Sequence, residues 1–206
     1  MSPDLVPRRV ADDVFEIVVA SPATAQQLAQ ALRQEGFAED VVAGLASVSI
    51  RFDPMTIDTL TARLQGIKMP FKGEEQPTEI NEVTIEYGGE AGPDLEQVCA
   101  HAGLSVVDFI ALHTKSEHTV EMIGFTPGFS YISGLPEGFK VPRLSQPRSR
   151  VPAGAVGISA AFTGIYALPG PGGWPLIGRT TATLFDRDTD EHFLLKPGQR
   201  VRFRAV

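Results

Sequence analysis

Between Gly124 and Thr180 the chain carries 11 of its 20 glycines and 8 of its 16 prolines. Proline fixes φ and glycine frees it, so a segment punctuated this often has dictated corners and room only for short extended pieces. Short strands folded into a barrel with shaped loops fit that texture, whereas long helices do not. Disorder is the other outcome such a composition allows. It is opposed by Phe125, Phe129, Tyr131, Ile132, Leu135, Tyr166, Trp174 and Ile177, which supply too much apolar surface for a solvated chain.

The same segment is cationic. Its only acid is Glu137, against Lys140, Arg143, Arg148, Arg150 and Arg179. Residues 1 to 100 carry 17 acids and 7 bases, while residues 101 to 206 carry 8 acids and 11 bases. The total of −7 argues against a general nucleic-acid binder, and the uneven distribution makes the rigid stretch the cationic one. With 43% hydrophobic residues, the 206-residue chain has material for a real core in one large unit or two modest ones. No apolar run approaches the roughly 18 residues of a membrane span. The opening "MSPDLVPRRV" has no secretory core. A cytoplasmic location without membrane contact is expected, and the single Cys99 can form no internal disulfide.

Upstream of the rigid segment the periodicities change. "DDVFEIVVA" reads as a buried strand, and the helix that follows has Ser21 as N-cap, Pro22 in its first turn and Gly36 as its stop. "LASVSIRFDP" alternates as a half-buried strand, and Ile57, Leu60 and Leu64 then recur at helical spacing. A polar, turn-rich stretch precedes another alternating strand in "EVTIEYGG". Two short helices follow, carrying Val98 and Cys99, then Val106, Phe109 and Ile110, with Gly103 between them. A boundary near residues 70 to 92 divides the chain into an α+β unit over 1–88 and a β-barrel over 89–206.

Several familiar motifs fail on inspection. "GGEAGPD" and "GPGGWPLIG" lack the Lys-Ser/Thr ending of a phosphate loop and open no helix in a strand-helix-strand unit. "DRDTDE" has Glu191 where a calcium loop needs glycine and Pro197 where it needs glutamate, which leaves a solvated turn. His113 and His118, five apart, match no usual metal spacing, and no metal site is expected. The arginines remain: a guanidinium fork grips carboxylate or phosphate, and prolines around Arg143 and Arg148 would hold such forks still. The competing reading is that they cap loop carbonyls or pair with Glu137. Trp174, between glycines and proline, suits a core plug as well as a ligand wall. His113 suits a general base as well as a hydrogen-bonded structural histidine.

At these residues the chain resembles a known family. "YGGEAGPDLEQV", "ALHT", "GFTPGFSYISGLP", "VPRLSQPRSRVPAGAVGI", "TGIYALPGPGGWPLIGRT" and "LKPGQRVRF" are similar to the B-type component of ATP-dependent 5-oxoprolinase. That family is also described as allophanate hydrolase subunit 1 and as KipI-type histidine-kinase inhibitors. The resemblance implies an N-terminal ferredoxin-like α+β domain and a C-terminal cyclophilin-like barrel. It also implies a homologous C-type partner, an A-type partner, and opening of 5-oxoproline to glutamate with ATP used by the complex; no cofactor is expected on this chain alone. A urea carboxylase-related component and a regulatory module that docks on a histidine kinase are the alternatives it leaves open. Carried onto this sequence, the catalytic candidates are His113 and Tyr131. The substrate-binding candidates are Arg143, Arg148, Thr163, Tyr166, Trp174 and Arg179. Three positions depart from the pattern: Phe162 replaces a glutamine, while Ala167 and Ser130 replace prolines.

Overall fold

The computed structural model describes residues 5–52, 57–67, 80–136 and 139–206, and the chain divides into two compact units between residues 75 and 76. The first unit runs β1 (Pro7–Arg9), β2 (Val14–Val18), α1 (Pro22–Glu35), β3 (Asp40–Ala43), β4 (Ser47–Arg51) and α2 (Ile57–Gln65). Its antiparallel sheet has the order β1-β2-β4-β3. The start of α1 is set locally: Ser21 is extended, its Oγ accepts from Thr24 N at 3.2 Å, and Pro22 needs no N–H partner there. Gly36, at φ 67°, stops it. Ala25, Leu28, Ala29 and Leu32 form one helical stripe and are fully buried with Phe15, Ile17, Val48 and Ile50 from the facing strands.

The α+β character of this unit matches the sequence reading, but its connectivity is not the ferredoxin-like one. In that fold the edge strand beside β2 follows the second helix. Here β1, from before β2, takes that edge, pairing Pro7 with Ile17. Neither β1, a three-residue strand, nor β3 has enough length for its alternation to show in the sequence.

The second unit comprises β5 (Ile80–Tyr87), α3 (Leu95–Ala102), α4 (Val106–Lys115), β6 (His118–Ile123), β7 (Ser130–Ser133), β8 (Arg148–Val151), β9 (Ala155–Ser159), β10 (Phe162–Ile165), β11 (Gly170–Gly172), β12 (Leu176–Arg179) and β13 (Arg200–Ala205). Seven strands close a barrel in the order β10-β7-β6-β13-β5-β12-β9, and β8 pairs with β11 in a separate ribbon. The expected barrel is present, with short strands and glycine at its corners. The boundary differs from the reading of 1–88 and 89–206. β5 is a barrel strand, running parallel to β13 and antiparallel to β12, so the barrel unit begins before it. An isolated alternating strand does not announce which sheet it joins.

Residues on the barrel strands alternate between two layers. Ile132, Val156, Ile158 and Ile165 enter the interior cluster, to which the helices add Val98, Cys99 and Phe109. Phe129, Ala155, Tyr166 and Leu176 belong to a second cluster that includes Val151 of the ribbon and Trp174. This outer layer carries the candidate site. No single helix among the described residues is long and apolar enough to cross a membrane.

Candidate functional site

On β10 the two-residue repeat separates the candidates. Thr163 and Ile165 are buried with the interior, whereas Phe162, Gly164 and then Tyr166 alternate onto the outer layer. β7 repeats the pattern: Tyr131 pairs with Gly164 in register, and Ile132 with Thr163. The outer layer needs glycine at 164. A Cβ there would lie 2.6 Å from Cζ3 of Trp174 and 2.7 Å from Cζ of Phe129, so only a bare backbone lets the two rings lie so close to the strand. Gly172 plays the same part under the Tyr166 phenol.

Phe129 is the hub of this layer. Its ring meets Tyr131, Tyr166, Trp174 and Phe125 edge to face, at centroid separations of 5.0, 4.9, 5.5 and 5.5 Å. Beside it opens a cavity of about 220 Å³ walled by these aromatics, Pro147 and Pro171, with Arg143 as the one charged group in its lining among the described residues. Phe125 stands at this cavity 61% exposed and with φ at +70°, a left-handed conformation that costs energy for a residue with a Cβ. Among the described residues no hydrogen bond or ion pair holds the Arg143 side chain. Glu137, the carboxylate weighed as its partner from the sequence, lies outside the described residues.

The two phenols remain protonated at neutral pH. Burial raises the Tyr131 pKa above its ordinary value, opposed by the charge of Arg143. Burial likewise raises Tyr166, opposed first by the Trp174 backbone and then by Arg143 and Arg148. The pocket therefore offers flat apolar walls, one cation and two neutral O–H groups. It can hold a small ring by its faces, a single anionic group at the guanidinium and a carbonyl oxygen at a phenol.

The structure brings together Tyr131, Arg143, Tyr166 and Trp174, and disperses the remaining candidates. Arg148 and Arg179 line a different cavity of about 420 Å³, with Arg150, Glu86 and Glu90. Arg148 is committed to structure: its Nη2 donates to Asp94 Oδ1 at 2.9 Å, while Asp94 Oδ2 accepts from Leu176 N at 2.6 Å. Asp94 thus ties β8, β12 and the start of α3 together. Nothing in "GPDLEQV" marks that aspartate as more than a helix cap.

His113 and Thr163 are interior groups. His113 has no exposed surface and stacks on Phe203, with centroids 4.5 Å apart. Its Nδ1 lies 2.6 Å from the Tyr87 Oη and its Nε2 2.8 Å from the Thr163 Oγ1. Tyr87 belongs to β5 and Thr163 to β10, three strand positions apart around the barrel, so the imidazole braces the interior from one side to the other. Burial pushes its pKa well below the ordinary histidine value, and the neighbouring His118 pushes the same way. Burial lowers the His118 pKa too, opposed by the His113 and Ser133 carbonyls beside its two ring nitrogens, only one of which the neutral ring can donate to. The corrected placement follows from the strand repeat: Thr163, one residue from Gly164, must face away from the pocket, and His113 goes with it. Phe162, standing where the pattern has glutamine, packs its ring against Tyr131 at 6.4 Å in the outer layer. Phe125 and Phe129 join the site without having been candidates from the sequence, although a pair of aromatics in a glycine-proline loop is a signal that could have found them. Among the described residues no group of three His, Cys, Asp or Glu side chains is placed to hold a metal.

Comparison with known proteins agrees with this architecture. The family described as carboxyltransferase domain, subdomain C and D, matches residues 12–195. The B-type component of 5-oxoprolinase from Escherichia coli O157:H7 is 39% identical over 190 residues, covering 91% of this chain and 87% of that protein. The crystal structure of TTHA0988 superposes with a TM-score of 0.80 at 32% identity, over 94% of this chain but 39% of that longer one. The Kluyveromyces lactis urea carboxylase superposes with a TM-score of 0.76 at 16% identity, over 97% of this chain and 21% of that one, which is a likeness of fold. A match that spans nearly the whole chain places it, as a plain conclusion, in the carboxyltransferase domain, subdomain C and D, family.

Proposed function

We propose that this chain is the B-type component of a heteromeric, ATP-dependent 5-oxoprolinase, and that its aromatic pocket receives the lactam ring. The observation that carries the reading is the pocket itself: a cavity of about 220 Å³ with aromatic walls, a guanidinium unpaired among the described residues and two protonated phenols. 5-Oxoproline is a small five-membered ring with one carboxylate and one amide carbonyl. Its methylene face suits Phe129 and Trp174, its carboxylate suits Arg143, and its carbonyl oxygen suits the Tyr131 or Tyr166 hydroxyl. The name carried by relatives at 38 to 40% identity supports the same reaction.

In this reading Tyr131 orients and polarises the amide, while His113 positions β10 from inside the barrel without touching substrate. The nucleotide and the remaining proton carriers come from C-type and A-type partners, since the glycine-rich stretches of this chain lack the Lys-Ser/Thr of a phosphate loop. A cyclophilin-like description of the barrel and a cytoplasmic site of action accompany the proposal.

Reconstitution tests it. ATP-dependent glutamate formation is assayed with the chain alone, with its C-type partner, and with the A-type partner added. Turnover is expected only from the full mixture. Steady turnover by the isolated chain, or silence from a demonstrably assembled complex, would count against the proposal.

A further inference from the structure

A second cavity also borders the loop that carries Arg143. It measures about 660 Å³, three times the aromatic pocket, and is lined by Gln97, Val98 and His101 of α3, by Val141 to Gln146, and by Pro175. Arg143 and Leu144 line both cavities, so the two meet at this loop. The loop is fixed at several points. Leu144 N donates to Gly173 O at 2.8 Å, Val141 bridges to Ala160, and the His101 Nε2 bonds the Lys140 carbonyl at 2.7 Å.

The chemistry of the larger cavity is one-sided. Val98, Val141 and Pro175 make its apolar part, while the amides of Gln97 and Gln146, the Ser145 hydroxyl and Arg143 supply donors. Among the described residues no carboxylate lines either of these two cavities. A guanidinium held by none of those residues, at a concave surface that offers donors and no competing acid, is arranged for an anion.

We propose that this cavity is a second ligand site, which takes a molecule larger than the occupant of the aromatic pocket and ending in a carboxylate or phosphate. Arg143 serves both sites, so filling the larger one draws the guanidinium from the smaller. The inference is independent of which reaction the aromatic pocket supports.

The test uses the full chain labelled at its four histidines, with the His101 resonances assigned through His101→Gln. Inorganic phosphate and glutarate are titrated separately, with sodium chloride at matched ionic strength as the control. At least one of the two anions is expected to shift the His101 resonances saturably. Arg143→Ala should weaken that binding at least about tenfold, and Gln146→Ala should weaken it less. A response to phosphate alone marks a phosphoryl ligand, and a response to glutarate alone marks a carboxylate. Trp174, the only tryptophan, reports on the neighbouring pocket, and its emission should change with the same midpoint. The second site is overturned if neither anion moves His101, if chloride moves it equally, or if both variants bind as the parent does while melting normally. A saturable His101 response with silent Trp174 overturns the sharing of Arg143.

Discussion

Replacing Gly164 by alanine probes the outer aromatic layer with a single methyl group. Its Cβ would stand 2.6 and 2.9 Å from two ring carbons of Trp174 and 2.7 Å from one of Phe129. Carbon atoms in ordinary contact sit about 3.5 to 4.0 Å apart, so both rings must retreat by about 1 Å. Both rings wall the cavity of about 220 Å³, so that is the side on which they can give way. Trp174 already lies close over Gly157, where an added Cβ would come within 3.0 Å of the Trp174 Cβ, and Phe129 is held edge-on by four aromatic neighbours. Overpacking of this kind costs about 1 to 3 kcal/mol, and each kcal/mol is worth about 4 °C of melting temperature for a unit of this size. The assay is thermal unfolding followed by circular dichroism, with the emission of Trp174 as a local readout. Gly170→Ala is the control, because nothing lies within 4 Å of the added atom, and it should melt within about 0.5 kcal/mol of the parent. If Gly164→Ala melts with the control and leaves the emission unchanged, the close-approach account of this layer is wrong.

Acid should destabilise the barrel through its buried histidines. Burial lowers the pKa of both His113 and His118 in the fold, so the unfolded chain binds protons that the folded chain refuses. The stability they allow is present above about pH 6.5 and lost as pH falls below it, by up to about 1.4 kcal/mol per pH unit for each histidine. Urea midpoints that stay level from neutral pH down through the carboxylate range would contradict this. Asp94→Ala strands the Leu176 N–H and the Arg148 guanidinium together and should cost about 2 to 4 kcal/mol in a denaturant titration. Arg143→Ala, which breaks no bond among the described residues, should unfold within about 0.5 kcal/mol of the parent.

The barrel was legible because glycine and proline spacing limits strand length directly, and α1 because Ser21, Pro22 and Gly36 act locally. β5 was assigned to the wrong unit for the opposite reason: which strands an alternating segment pairs with is decided by distant residues. The candidate site was legible in part. Tyr131, Arg143, Tyr166 and Trp174 do meet, but the arginines do not form one cluster, since Asp94 claims Arg148. His113 is a catalytic candidate through the family resemblance, and its residue type alone leaves a structural histidine equally open. Its hydroxyl partners, Tyr87 and Thr163, are 26 and 50 residues away, beyond what local spacing reveals.

The central claim is that Arg143 holds the anionic end of the substrate in the aromatic pocket, and kcat/KM of the assembled complex tests it most directly. The complex is reconstituted with Arg143→Ala, its assembly is checked by size-exclusion chromatography, and the exposed Arg187→Ala serves as the charge-matched control. Loss of one charge-assisted pair lowers kcat/KM for 5-oxoproline by about 10- to 100-fold, and the control leaves it unchanged. An Arg143→Ala complex that assembles and turns over as the parent does, or a control that loses as much, would contradict the claim.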